Sequence, residues 1–190
     1  MNIKYGKIVL RALERDDMEL LRSTLNDPEI EKMVVGWSFP ISSIEQNSWF
    51  DRIQGNKNHQ RFAIEFEGKF VGISTLTDID WKNRSAFHGI KLIADAPKGQ
   101  GIGFDAVCGT MQYAFEELQL NRLIGGILTY NIPSQKLYKK CGWKEEGLFR
   151  EQVFKNNQYH DEIAVAILRS DYFEWKDNIK LSQSGGGKKN

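Results

Sequence analysis

Several features that would classify a chain at first sight are missing from these 190 residues. No apolar run approaches the ~20 residues that a membrane-spanning helix needs. The opening stretch MNIKYGKIVLRALERDD has no apolar signal-peptide segment and reads as a strand followed by a helix. No membrane partner and no leader are expected, and a cytoplasmic location is. Charge of one sign is also missing: 26 Lys and Arg face 25 Asp and Glu, a net +1, which removes the bulk electrostatic case for a nucleic-acid partner. The two cysteines, Cys108 and Cys141, have neither disulfide-framework nor zinc-ligand spacing, so no metal site is implied. Repeats and interior linkers are absent as well. What remains, 41% hydrophobic and 27% charged residues, suits one globular domain, expected over 1–176 with a flexible tail over 177–190.

The pattern alternates strands and helices. Residues 7–13 (KIVLRAL) read as a strand. Asp16 followed by Glu19 suggests a capping box opening a helix, and Ser43 followed by Gln46 a second one. RFAIEFEGKFVGISTLTDI is a hairpin about a Glu67-Gly68 turn, and 86–94 is a further strand. Apolar residues at 104, 107, 108, 111, 115 and 118 predict a long helix from about 102 to 118. A buried strand (122–130), a short helix capped by Asn131, and a closing hairpin complete the reading.

Between the fourth strand and the long helix lies PKGQGIG, with Gly99, Gly101 and Gly103 at alternate positions. A dinucleotide fingerprint fails because the sixth position from Gly99 is Phe104, and a Walker loop fails because no Lys-Ser or Lys-Thr pair follows. Two readings stay open: an ordinary glycine turn, or a cradle whose amides hold a pyrophosphate at a helix N-terminus. One strand later comes NIPSQKLYKKCGW (131–143), with Asn131, Ser134, Tyr138 and Gly142-Trp143.

The order and spacing of these two motifs resemble the GNAT N-acetyltransferase superfamily, over roughly residues 7–173. The N-terminal LRALERDDMELL…NDPEI is similar to the branch that includes ribosomal-protein N-terminal acetyltransferases and spermidine acetyltransferase. The resemblance implies an α/β fold with a mixed, mainly antiparallel, splayed sheet of about seven strands flanked by about four helices. It implies that amides of Lys98, Gly99, Gln100, Gly101, Ile102 and Gly103 bind the pyrophosphate of acetyl-CoA, with Lys98 departing from the usual Gln or Arg. It further implies that Ile90, Leu92 and Ile93 offer edge groups to the pantetheine arm, that Asn131 and Ser134 touch the cofactor, and that Tyr138 lies near its sulfur.

These residue types suit direct acetyl transfer from acetyl-CoA to a primary amine in a ternary complex. A tyrosine hydroxyl can protonate the departing thiolate, and a strand N–H can steady the oxyanion. His88, where many relatives carry Glu, is the base candidate, beside a purely structural reading; Glu65, Asp78 and Asp80 are further carboxylates near the hairpin, and His59 and His160 read as surface residues. Trp37, Phe39, Trp49 and Phe50 either line an acceptor pocket or fill the core. The acceptor stays open among a small amine such as a polyamine, an amino-sugar nucleotide and a peptide N-terminus, with a homodimer as the candidate assembly. The rival readings are a non-catalytic acyl-CoA-binding regulatory module and a nucleotide-sugar binder.

Overall fold

The computed structural model describes residues 1–36 and 39–184. Its centre is one eight-stranded sheet in the order β1-β2-β3-β4-β5-β6-β8-β7. The strands are β1 (Ile3–Tyr5), β2 (Ile8–Ala12), β3 (Gln60–Phe66), β4 (Lys69–Asp80), β5 (Ser85–Leu92), β6 (Arg122–Leu128), β7 (Lys144–Lys155) and β8 (Gln158–Leu168). All neighbours run antiparallel except β5 and β6. Among the described residues no helix is long and apolar enough to cross a membrane.

Strand alternation assigns the two faces. On β3, Phe62, Ile64 and Phe66 point into the layer filled by α4 (Ile102–Gln112), whereas Ala63 packs with α1 (Met18–Leu25) and α3 (Ser43–Ile53). Both faces are covered, which is why RFAIEF is a nearly continuous apolar run rather than a strict alternation. The long helix expected over 102–118 is α4 followed by a π turn, Tyr113–Glu117, in which Leu118 N–H reaches Tyr113 C=O. After it, α5 (Ile132–Lys140) lies beside α4, and α6 (Arg169–Ser184) lays Tyr172 on Phe115.

The sheet has one strand more than expected, because β1 pairs with β2 in a hairpin too short to show periodicity. The single-turn α2 (Pro28–Glu31) and α6 are also additional, and α6 makes 177–184 helical where a tail was expected. Both capping boxes sit one or two residues away from the expected pairs: Glu14 with Asp17, and Ser42 with Glu45. Gln46 is instead buried, donating to Met18 Sδ.

Two features shape the cavity described below. First, β5 and β6 pair only over Ser85–Phe87 and Arg122–Ile124, and beyond that register they part. Second, residues 32–36 are tied down over the opening. Asn131 Nδ2 donates to Met33 C=O (2.7 Å), and Tyr130 O–H donates to Lys32 C=O. From β7, Lys155 pairs with the Glu31 carboxylate and donates to the carbonyls of Glu31 (2.9 Å) and Gly36 (3.1 Å), with its side chain 3% exposed. Replacing Lys155 by Met strands those acceptors. The expected cost is ~2 kcal/mol, read as a melting temperature about 4–8 °C lower in a thermal melt.

Candidate active site

The glycine turn forms the first half of the site. Gly99 and Gly101 have φ of 74° and 79°, a region closed to most side chains, and a Cβ added at either would meet no atom within 4 Å. Gly101 is the N-cap of α4, and the first helical bond runs from Asp105 N–H to Gly101 C=O (2.9 Å). The amides of Ile102, Gly103 and Phe104 therefore precede the helix ladder and lack partners within it. They open into a cavity of about 410 Å³ lined by Ile93, Lys98, Gly99, Gly101 and Gly103 on one side and Leu137 and Lys140 of α5 on the other. Backbone donors, a helix N-terminus and two lysines make a donor set that fits a pyrophosphate. Lys98, Gly99 and Gln100 are exposed, and Gln100 is outside the cavity lining.

The splayed strands form the second half. Ile93 N–H donates to Val71 C=O (3.0 Å) on the β4 side, and its C=O accepts Ala96 N–H (3.1 Å). Ile93 thus offers no main-chain donor to an arm laid along β5, contrary to expectation. By strand alternation, the amides of His88, Ile90 and Leu92 point the other way, into the gap left by β6.

Tyr138, on α5, stands where the strands part. It is 5% exposed and its hydroxyl lies 2.9 Å from His88 Nδ1. His88 Nε2 lies 3.4 Å from Ser74 Oγ, which is 2.7 Å from Thr110 Oγ1, and Thr110 donates to Ala106 C=O (2.8 Å). Proton counting sets the order of this chain. With Thr110's proton on a carbonyl, Ser74 donates to Thr110, His88 Nε2–H donates to Ser74, and Nδ1 accepts from Tyr138. Trp143 completes the wedge, edge-on to Tyr138 with ring centroids 4.9 Å apart and 5.6 Å from the His88 ring.

Burial alone pushes the His88 pKa down to about 3, and burial, with Cys141 as a lesser contributor, raises that of Tyr138 above its ordinary value. His88 is thus a neutral hydrogen-bond partner with both ring nitrogens engaged. The expectation that it takes the substrate's proton gives way for that reason. Asn131 is likewise committed: its Oδ1 caps Ser134 N–H (3.1 Å) and its Nδ2 holds Met33. Asn131 and Ser134 line the central cavity together with Tyr138 and His88.

That cavity, about 500 Å³, opens on the α1–α3 face. Of the aromatic residues, Trp49 lines it, Phe50 is core beneath Arg15, Phe39 is exposed, and Trp37 lies outside the described residues. The hairpin carboxylates are used elsewhere: Glu65 pairs with Arg11, Asp78 lies beside His59, and Asp80 caps the turn at Lys82 and Asn83. His59 and His160 are half-buried rather than exposed. Charged lining comes from Arg61, Lys91 and Glu162, which the sequence reading did not single out. For the two cations the available signal was an Arg at the head of one apolar run, RFAIEF, and a Lys within another, GIKLIA.

Comparison with known proteins bears on this arrangement. The acetyltransferase (GNAT) domain family model matches residues 7–144. The spermidine N(1)-acetyltransferase of Vibrio cholerae is 29% identical over 169 residues, covering 88% of this chain and 96% of that protein. A crystal structure of the V. cholerae spermidine N-acetyltransferase with CoA and spermine superposes with a TM-score of 0.82 at 27% identity, covering 88% of this chain and 98% of the other. A dodecameric structure of spermidine N-acetyltransferase from V. cholerae gives 0.75 at 26%, covering 87% and 96%. Cradle, splay and family match agree: the chain belongs to the GNAT acetyltransferase family and is an N-acetyltransferase that uses acetyl-CoA.

Proposed function

We propose that this enzyme transfers acetyl directly to a primary amine bound on the α1–α3 face, with Tyr138 as the proton donor to the leaving sulfur. The observation that carries the reading is the buried Tyr138 hydroxyl held by His88 at the parting of β5 and β6. Acetyl-CoA supplies an activated acyl carbon and a thiolate leaving group. The amides at the start of α4 anchor its pyrophosphate, and Ile90 and Leu92 offer main-chain groups along the gap. Tyr138 stays protonated through the neutral range because burial disfavours its anion. Rotation about its C–O bond carries the proton from His88 Nδ1 to the gap. A thiolate forming there is itself short of water, so its proton affinity rises too. His88 is a positioning residue: it fixes the hydroxyl and, through Ser74 and Thr110, ties it to β4 and α4.

The acceptor is a small amine rather than a protein N-terminus, because Lys155, Asn131 and Tyr130 close residues 32–36 over the cavity. Assembly above the monomer is in keeping with the dodecameric relative.

Tyr138→Phe should lower kcat ~100-fold, the usual weight of one general acid, with acetyl-CoA still raising the melting temperature. Unchanged kcat would remove Tyr138 from the acid role. His88 generates a pH test. The unfolded chain binds a proton near pH 6.5 that the folded chain refuses until about pH 3. Stability contributed by neutral His88 is therefore complete above about pH 6.5 and falls as pH drops, by roughly 1 kcal/mol per unit over that window. Denaturant titrations of wild type and His88→Gln should differ in this acid slope, the variant being flatter. In the same variant kcat should fall while the KM for acetyl-CoA changes little.

A further inference from the structure

The charged residues of the acceptor cavity specify more than an amine. Register places Arg61 opposite Thr75 and Thr75 opposite Gly89, while Ala63, Ile73 and Lys91 form the next row. Directly paired residues share a face, so Arg61 and Lys91 both project from the α1–α3 side of the sheet into one cavity. Neither has a carboxylate at ion-pair distance among the described residues. Arg61 lies over the Trp49 ring (5.5 Å), and Asp78 reaches it only as a longer-range charge. Near Lys91 the Glu31 carboxylate is already held by Lys155, a second cation.

On the opposite wall, Glu162 of β8 has no hydrogen-bond or ion-pair partner among the described residues. Its carboxylate rests on Gly126 of β6, where a Cβ would fall 1.9 Å from Glu162 Oε1. Gly126 is thus the clearance that lets Glu162 reach the cavity, and both residues line it. Half-buried charges left unpaired are costly, and a ligand of matching charge relieves that cost. The two cations and one anion describe the complement of their occupant.

We propose that the acceptor is a small amine that also carries an anionic group, a carboxylate or phosphate, held by Arg61 and Lys91 while Glu162 receives the ammonium. This rests on the acetyltransferase reading above and narrows its substrate. A polyamine would have to lay its further ammonium groups against Arg61 and Lys91, so spermidine, the substrate in the name of the V. cholerae relative, is a poor fit here. Arg61 presents the planar donor fork that suits carboxylate and phosphate. Glu162 takes one proton from the ammonium, and burial already raises its proton affinity. The nitrogen lone pair then forms the N–C bond as the C–S bond breaks, Tyr138 protonates the sulfur, and the second nitrogen proton restores Tyr138. One proton, on Glu162, is released to solvent per turnover.

The test is acetyl-CoA consumption with matched amines: glucosamine 6-phosphate against glucosamine, and free amino acids against their amides, with spermidine as a further arm. Wild type should favour the anionic member of at least one pair by ~10-fold or more in kcat/KM, the weight of a charge-assisted hydrogen bond. The preferred pair says whether phosphate or carboxylate is read. Arg61→Gln and Lys91→Gln should shrink that ratio, chiefly through KM. Glu162→Gln should lower kcat ~100-fold, with partial recovery in Glu162→Asp. Stabilisation by CoA identifies variants that remain folded. Preference for spermidine or the neutral members, or a ratio indifferent to both cation variants, overturns this assignment and leaves the acetyltransferase reading standing. Acetyl-CoA binding with no amine acetylated overturns both.

Discussion

The site depends on a limit to backbone pairing. β5 and β6 run parallel for three residues each and then separate. A continuous pairing would consume the amides of β5 and close the sheet. Parting instead leaves a row of donors and acceptors without strand partners inside a protein, the situation that secondary structure normally removes. A ligand with an extended amide-bearing arm can satisfy that row as a strand would. Three aromatic rings, His88, Tyr138 and Trp143, pack where the strands diverge. The wedge that accompanies the splay therefore includes Tyr138, the proposed proton donor, so that in this reading fold and chemistry share the same atoms.

Burial then decides which groups can do what. Tyr138 and His88 lie in the same dry wedge, and removal of water acts on them in opposite senses: the phenol holds its proton more firmly and the imidazole refuses one. Both are neutral, which lets a one-way hydrogen-bond chain run to the Ala106 carbonyl without an uncompensated charge. Charge is kept on the other face of the sheet, in the half-buried Arg61, Lys91 and Glu162. The gap joins a neutral side, the proposed proton donor's, to a charged side, where the amine is proposed to bind.

Much of this was legible from residues. Gly99 and Gly101 announced a left-handed turn at a helix start, and Asn131 announced a cap; both are seen as such. The resemblance in motif order carried the splay and the location of Tyr138. What escaped was long-range. His88 meets Tyr138 across 50 residues, and the sequence says nothing of the Ser74 and Thr110 hydroxyls that continue the chain. Glu162 becomes a cavity residue only because register sets it opposite Leu128, from where its side chain reaches diagonally over Gly126. The missed β1 is too short for a period-2 signal. α6 carries its apolar residues as an aromatic cluster, with Tyr172, Phe173 and Trp175 around Phe104 and Phe115, rather than as an evenly spaced stripe.

The central claim, that acetyl-CoA completes the parted strands, is tested most directly by amide hydrogen exchange with and without CoA. Protection should rise at Ile90 and Leu92 and at residues 101–104, while Ile93, already bonded to Val71, stays unchanged. Slowed exchange confined to other parts of the chain, with no change along β5 or at the start of α4, would contradict the account.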